Sequence, residues 1–158
     1  MSENPVPPNA APHYAGFWRR FVAALLDQII LLVGRAFVYG AIGLIIYAML
    51  FVLDARSQAD LVLRIYAGIL ALLDFWITWI YFAGMESSSL QGSLGKLAVG
   101  IRVCSADLQR ITFEQATARY FSKILSSLTI GVGYLLCAYS SKKQALHDFV
   151  AKTVLIVR

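Results

Sequence analysis

Residues 16–53 read GFWRRFVAALLDQIILLVGRAFVYGAIGLIIYAMLFVL and decide the class of this protein. From residue 21 onward the stretch is almost wholly apolar, and it exceeds the ~20 helical residues that cross a ~30 Å hydrocarbon core. It therefore predicts a membrane-spanning segment. A break near Gly34, Gly40 or Gly43 would give an interfacial helix and then a span. Glycine is frequent in membrane helices, so we favour one long helix.

Three ionisable side chains interrupt this apolar stretch: Arg20 at its start, Asp27 further in, and Arg35 deeper still. A charged group at membrane depth costs ~2.5 to 3.5 kcal/mol or more and is a functional candidate by default. Arg20 and Asp27 share one helix face about 10 Å apart along the axis, so we expect a water or a third group between them. The pair is either a structural charge pair or a titrating carboxylate tuned by its partner cation.

The composition of the 158-residue chain favours an integral membrane protein over a soluble one. Apolar residues make up 59%, charged residues only 15%, and the mean hydropathy is +0.67. Basic residues that flank the apolar stretches give a net charge of +5, which we interpret as attraction to anionic lipid headgroups and not as nucleic-acid binding. Cys104 and Cys137 are too few for a disulfide framework or a zinc site, and we expect neither metal nor cofactor.

A second apolar stretch, residues 61–83, follows the polar connector at residues 54–60. A connector this short predicts that the two spans form an antiparallel pair. Counting along antiparallel helices places Asp74 at the depth of Arg35, to within a turn or two. Because desolvation opposes an isolated carboxylate, we predict that Asp74 is either neutral or paired with Arg35. Asp27, Arg35 and Asp74 are then candidates for one polar cluster.

The chain after the second span changes its periodicity. Residues 84–95 are turn-rich, and the alternation that follows predicts a β-hairpin of residues 97–104 and 110–113 outside the lipid. Thr112 is a candidate N-cap for an amphipathic helix over residues 114–123, which we expect at the membrane interface.

Residues 124–139 are apolar but short, and they pose the main topological question. They form either a re-entrant hairpin or, if the helix begins near Thr117, a third full span. A strand-like TVLIV at residues 153–157 needs the β-hairpin on its own side of the membrane, and basic residues lie on both flanks. We therefore favour the re-entrant form, with the N-terminus, residues 84–123 and the C-terminus all cytoplasmic.

The expected fold class is an all-α membrane protein with two to three transmembrane helices, an interfacial helix and a small β-hairpin/strand cap. The proline-rich residues 1–15 are expected to be a disordered tail, and residues 16–158 one membrane domain.

Four segments, taken in order, resemble the RDD family of small bacterial polytopic membrane proteins, which is named for one arginine and two aspartates. They are GFWRRFVAALLDQIIL, SLGKLAVGIRV, ARYF and KKQALHDFVAKTVLIV. Arg20 and Asp27 occupy the named arginine and first aspartate positions, and Asp148 is the candidate second aspartate. The chain departs from the family at Ser93, where threonine is favoured, and at Lys152, where glycine is favoured. The remaining matched positions are Gly16, Gly95, Lys96, Gly100, Arg102, Arg119, Gln144, His147 and Thr153.

The resemblance implies a role in transport, with some family members looking like cation/proton antiporters, and a place in the bacterial inner membrane. Two or three spans make a thin bundle, so transport of a small cation or solute implies a homo-oligomer. The alternative is a non-transporting scaffold or assembly factor that docks a partner protein. No nucleophile elbow, phosphate loop or metalloprotease motif occurs in the sequence, and we do not expect an enzyme.

Separate roles are expected for the two matched aspartates. Adjacent residues do not face one another on a helix, so we expect His147 and Asp148 to tie the tail helix to the hairpin. Asp148→Ala should then lower the amount of folded protein more than the activity per molecule. Asp27 is expected to be the charged functional acid, so that Asp27→Asn removes any pH-dependent flux and leaves the thermal midpoint nearly unchanged.

Overall fold

The computed structural model describes residues 13–54, 56–128 and 143–157. Within them it confirms the predicted fold class, a mostly helical protein with two candidate membrane spans and a small strand cap. A single 3-10 turn, Arg56–Gln58, links the two long helices. The other elements, in chain order, are α1 (Phe17–Val52), α2 (Ala59–Ser87), α3 (Leu94–Ala98), β1 (Ile101–Ser105), α4 (Phe113–Leu128), α5 (Leu146–Val150) and β2 (Thr153–Val157).

Helices α1 and α2 are each long and apolar enough to cross a membrane. Their 36 and 29 residues correspond to about 54 Å and 44 Å at 1.5 Å per residue. The most apolar window of each has a mean hydropathy of 2.3 and 1.8, and none of its residues is buried. The core helix of a soluble protein would be covered instead, so these faces are suited to lipid. The preference for one unbroken first helix is confirmed.

The two long helices run antiparallel, as predicted, and touch at a few points. The Tyr66 hydroxyl donates a hydrogen bond to the backbone carbonyl of Tyr39 at 2.5 Å, and Gly43 packs beside the Tyr66 ring. One turn further along α1 toward its start, Arg35 meets Asp74. Most large apolar side chains of both helices remain exposed, so this pair alone leaves wide surfaces for lipid or other protein.

A two-stranded sheet forms the centre of the cap at one end of the long helices. Strand β1 pairs antiparallel with β2, in a register that runs from Ile101 opposite Val157 to Ser105 opposite Thr153. The predicted partnership of the tail strand with the region around residues 97–113 is therefore confirmed. Ile101, Val103 and Leu155 are fully buried between this sheet and the helices.

The predicted β-hairpin itself is wrong. Residues 94–98 are helical, and only one isolated bridge, Cys104 with Arg110, joins the two expected strands. The side chain of Arg110 instead donates to the Ser87 carbonyl at 2.5 Å. Strand β2 supplies five consecutive residues of high β propensity, of which the first three are buried. It pairs with β1 along its whole length, whereas the nearer segment bridges β1 only at Cys104.

Residues 13–15 extend the sheet on the other edge of β2. The Ala15 amide donates to the Leu155 carbonyl, and the Val157 amide donates to the His13 carbonyl, both at 2.8 Å. The boundary predicted for the disordered tail is therefore wrong at these three residues, because their backbone completes the pairing of β2. Residues 1–12 lie outside the described part of the chain.

Helix α4 begins as predicted and packs across α2. Thr112 and Gln115 form a reciprocal cap: the Thr112 hydroxyl accepts from the Gln115 amide, and the Gln115 side chain accepts from the Thr112 amide. Trp79 of α2 contacts Phe113 and Phe121, with ring centroids 5.7 and 6.3 Å apart. The amphipathic helix thus packs on α2, and its place at the membrane interface stays a prediction. Residues 129–142, which decide between the re-entrant and spanning forms, lie outside the described residues.

Several backbone positions in the cap adopt the left-handed conformation, and two of them lie at matched family positions. Gly100, just before β1, has φ of +69°, and Lys152, between α5 and β2, has φ of +52°. A residue without a Cβ adopts this conformation at little steric cost. The glycine favoured by the RDD-like motif at position 152 therefore suits the turn better than the lysine present here.

Candidate functional site

Asp27 of α1 holds the start of helix α3. The side chain is buried and accepts hydrogen bonds from the Ser93 hydroxyl at 2.5 Å, the Gly95 amide at 2.7 Å and the Tyr81 hydroxyl at 3.1 Å. The Tyr81 oxygen in turn accepts from the amide of Leu94 at 3.1 Å. Free amides at a helix start need such acceptors, so a carboxylate on another helix performs the capping that α3 cannot provide for itself.

The expected pairing of Arg20 with Asp27 is therefore wrong. Both residues lie on α1, but Asp27 contacts the start of α3, whereas Arg20 contacts the residue before Gly16 and residues near the C-terminus. Arg20 Nε donates to the Ala15 carbonyl at 3.0 Å, one terminal nitrogen donates to the Lys143 carbonyl at 2.5 Å, and the other pairs with Asp148. The structural premise for Asp27 as a charged acid tuned by Arg20 is lost.

Asp148 is the centre of a buried ion-pair network. Its side chain is wholly buried and pairs with Arg20 and with Arg119 at 2.9 Å, and the His147 ring lies 3.4 Å away. It also accepts from the amide of Ala145, at the start of α5. Burial would raise the pKa of Asp148, but the charges of Arg119, His147 and Arg20 lower it to about 2. Asp148 thus ties α5 to α1 and α4, and not to the expected hairpin.

Glu86, at the end of α2, is a second buried carboxylate that the sequence analysis missed. It pairs with Lys96, with Arg119 at 3.6 Å and with Lys123 at 3.7 Å. The available signal was a lone acid directly after an apolar span, ten residues before the matched lysine of SLGK. Burial together with the neighbouring cation Arg119 lowers the pKa of Lys96 to about 7, against the opposing effect of Glu86.

A cavity of about 690 Å³ lies beside this network, within the size range of small-ligand sites. Phe17, Phe21, Phe82 and Tyr120 form much of its apolar wall. Its charged lining residues are Arg20, Asp27, Lys96, Arg119 and Lys123, joined by His147. No group of three His, Cys, Asp or Glu side chains that could hold a metal occurs among the described residues.

His147 makes the fold sensitive to acid. Burial lowers its pKa from 6.5 to about 3, so the folded protein keeps the ring neutral while the unfolded chain takes up a proton below pH 6.5. Stability is therefore fully present above that value and lost as the pH falls. We expect the thermal midpoint to drop as the pH falls from 6.5 toward about 3, and His147→Gln to flatten this slope. An equally steep slope in the variant would contradict the assignment.

Arg35 and Asp74 form the predicted ion pair at membrane depth. Arg35 Nε lies 2.6 Å from an Asp74 oxygen, and a terminal nitrogen of Arg35 donates to the Thr78 hydroxyl at 2.5 Å. The Tyr39 hydroxyl donates to the same Asp74 oxygen at 3.4 Å. Asp27 does not take part, because its hydrogen-bond partners belong to α3 and the end of α2. The hypothesis of one cluster containing all three residues is wrong.

The remaining matched residues support the backbone of the cap. Gln144 donates to the Thr153 carbonyl at 2.8 Å, and the buried Thr153 hydroxyl donates to the Asp148 carbonyl at 3.4 Å. Gly16 immediately precedes α1 as its N-cap. Arg102 is a half-buried residue of β1, paired in register with Ile156.

Comparison with known proteins agrees with this architecture. The chain is 30% identical over 155 residues to the uncharacterized protein YxaI of Bacillus subtilis (strain 168). This alignment covers 91% of the present chain and 97% of YxaI. It is 28% identical over 149 residues to the uncharacterized membrane protein YteJ of the same organism, covering 90% and 80% of the two chains. No solved structure matches. The RDD family model matches residues 14–152. The chain is therefore a membrane protein that belongs to the RDD family.

Proposed function

We propose that this protein takes part in the transport of a small cation or other small solute across the bacterial inner membrane as a homo-oligomer. The observation that carries the proposal is the Arg35–Asp74 pair, which lies at the middle of both long helices. About a quarter of the Arg35 side chain and a third of the Asp74 side chain, 27% and 33%, remain uncovered.

An uncovered charge pair at this depth is costly in contact with hydrocarbon. Ionisable groups in membrane helices face a bundle interior or a water-filled cavity, and they mark pathways for ions and protons. Two helices cannot enclose such a pathway. Further copies of the chain, packed against the exposed faces of α1 and α2, would provide the missing walls, which supports a homo-oligomer.

The chemistry of the pair suits exchange. Arg35 compensates Asp74, and the Tyr39 and Thr78 hydroxyls share the site. A small cation could pair with Asp74 while the Thr78 hydroxyl and water solvate the released guanidinium. An anionic group could instead pair with Arg35 while the Tyr39 hydroxyl donates to the released carboxylate. This is why we propose a small charged solute and leave its sign to the flux assay.

The proposal is tested with purified protein in vesicles, by proton flux against a panel of small cations and anions. We expect Asp74→Asn to reduce flux to background, while Asp60→Asn retains it. Asp60 is a matched control, because it is an exposed acid in the first turn of the same helix. Background flux for the wild type at every solute, with a partner protein recovered in pull-down, would favour the scaffold alternative instead.

The same pair gives a prediction for stability. Removing one partner of a compensated pair costs about 3 kcal/mol, whereas neutralising both costs much less. We expect Asp74→Asn and Arg35→Gln each to lower the thermal midpoint in micelles, and the double variant to recover much of the loss. Additive losses would mean that the two side chains are not coupled.

The arrangement of the cap supports the proposed orientation. Residues 13–15, β1 and β2 belong to one sheet, so they lie on one side of the membrane, and the basic flanks favour the cytoplasmic side. We expect reporter fusions after Gln109 and after Arg158 to report the cytoplasm and a fusion after Ser57 to report the opposite side. A periplasmic signal after Arg158 would contradict the sheet and the orientation together.

A further inference from the structure

The cavity beside the cap combines an aromatic wall with a cationic end. Phe17, Phe21 and Phe82 lie on the two long helices, and Phe21 is half exposed on the outer face of α1. The cavity thus lies where the start of α1 and the end of α2 emerge toward the cap.

Basic side chains line part of this cavity. Four cations line it: Arg20, Lys96, Arg119 and Lys123. Glu86 and Asp148 are ionic partners that these side chains share. The third carboxylate, Asp27, is occupied by its donors from α2 and the start of α3.

The side chain of Arg119 points to a missing anionic partner. The residue is 1% exposed, and one guanidinium nitrogen reaches Asp148. Its nitrogen Nη1 is buried without a hydrogen-bond partner in the part of the chain that the structure describes. A buried donor left unpaired is costly, and more so when it carries charge. A phosphate or carboxylate oxygen in the cavity would satisfy it.

We propose that this cavity binds an anionic phospholipid, with the headgroup phosphate at Arg119 and an acyl chain against Phe17 and Phe21. Basic pockets between membrane helices recognise acidic lipid headgroups in this way. The aromatic wall favours a lipid over a free phosphate compound, because a soluble anion would leave that wall in contact with water. The inference is independent of the transport proposed above, since it concerns a different site.

The test uses the full-length protein in neutral detergent micelles. Thermal unfolding is followed while phosphatidylglycerol, phosphatidylcholine or soluble glycerol 1-phosphate is added. We expect phosphatidylglycerol to raise the thermal midpoint by at least ~3 °C more than phosphatidylcholine, with no shift from glycerol 1-phosphate. Equal shifts with both lipids would overturn the headgroup assignment, and a full shift with glycerol 1-phosphate would overturn the assignment to a lipid.

Arg119 variants risk unfolding, so a charge is added to the cavity wall instead. Gln28 lines the cavity and is exposed on α1. Gln28→Glu should raise the phosphatidylglycerol concentration needed for half-saturation about tenfold, because an added anion repels the headgroup. Gln109→Glu is the matched control, an exposed glutamine in the turn after β1, and should bind like the wild type. Unchanged binding by a folded Gln28→Glu protein, or equal losses in both variants, would overturn the proposed site.

Discussion

Asp148→Ala should remove most of the folded protein from the membrane. The substitution leaves Arg20 and Arg119 without the carboxylate that they share in a buried site. Breaking a buried ion pair by removing one partner costs ~3 to 5 kcal/mol. For a chain of this size such a loss lowers the thermal midpoint by about 10 °C. Abundance and melting are measured on a fluorescent fusion by size-exclusion chromatography after heating.

Asp107→Ala is the control for this experiment. Asp107 is an exposed acid in the turn after β1, so its removal should change neither abundance nor melting. The double variant Asp148→Ala/Arg119→Leu should recover part of the loss, because it removes one of the two abandoned cations. Normal abundance of Asp148→Ala with abolished flux would place Asp148 in the transport mechanism instead.

Gly95→Ala should be nearly as damaging, although it adds a single methyl group. A Cβ at this position would lie 2.8 Å from Asp27 Cγ and nearer still to the backbone carbonyl of Ala23. Neither can move away, because both belong to α1. We expect α3 to be pushed off α1, with loss of the hydrogen bonds to Asp27 and about 3 kcal/mol of stability. Thermal unfolding in micelles measures the effect.

Gly84→Ala is the matched control. Gly84 lies inside α2, and a Cβ there would meet nothing within 4 Å. Alanine is favoured over glycine in a helix by up to ~1 kcal/mol, so this variant should be as stable as the wild type or more so. If the Gly95→Ala variant has the same thermal midpoint as the Gly84→Ala variant, the close contact between α3 and α1 is not required for the fold.

The sequence was informative wherever a single helix decides the outcome. Hydropathy and length predict both long helices, because a membrane span requires only an apolar segment of sufficient length. The Arg35–Asp74 pair followed from counting depth along two antiparallel helices. The start of α4 followed from a local cap, since Thr112 and Gln115 are three residues apart and find each other without help from the rest of the chain.

The failures share a different cause. Asp27 and Arg20 are seven residues apart on one helix, yet their partners lie 68 and 128 residues away in sequence. The periodicity of one helix cannot predict that a carboxylate on it caps a different helix. The hairpin failed for the same reason, because the strand that pairs with residues 101–105 along their whole length lies about 50 residues further along the chain. Glu86 was overlooked since its partners come from two later helices.

The position of β2 also sets an order of events during synthesis. Translation delivers this strand after every other described element, yet it is the strand that joins β1 to residues 13–15. Both long helices have therefore left the ribosome before the sheet can close. Until then Arg20 and Arg119 must stay hydrated, since Asp148 arrives with the same late segment. Closure of the cap is thus a post-insertion step with long sequence separation, which makes it slow relative to helix formation.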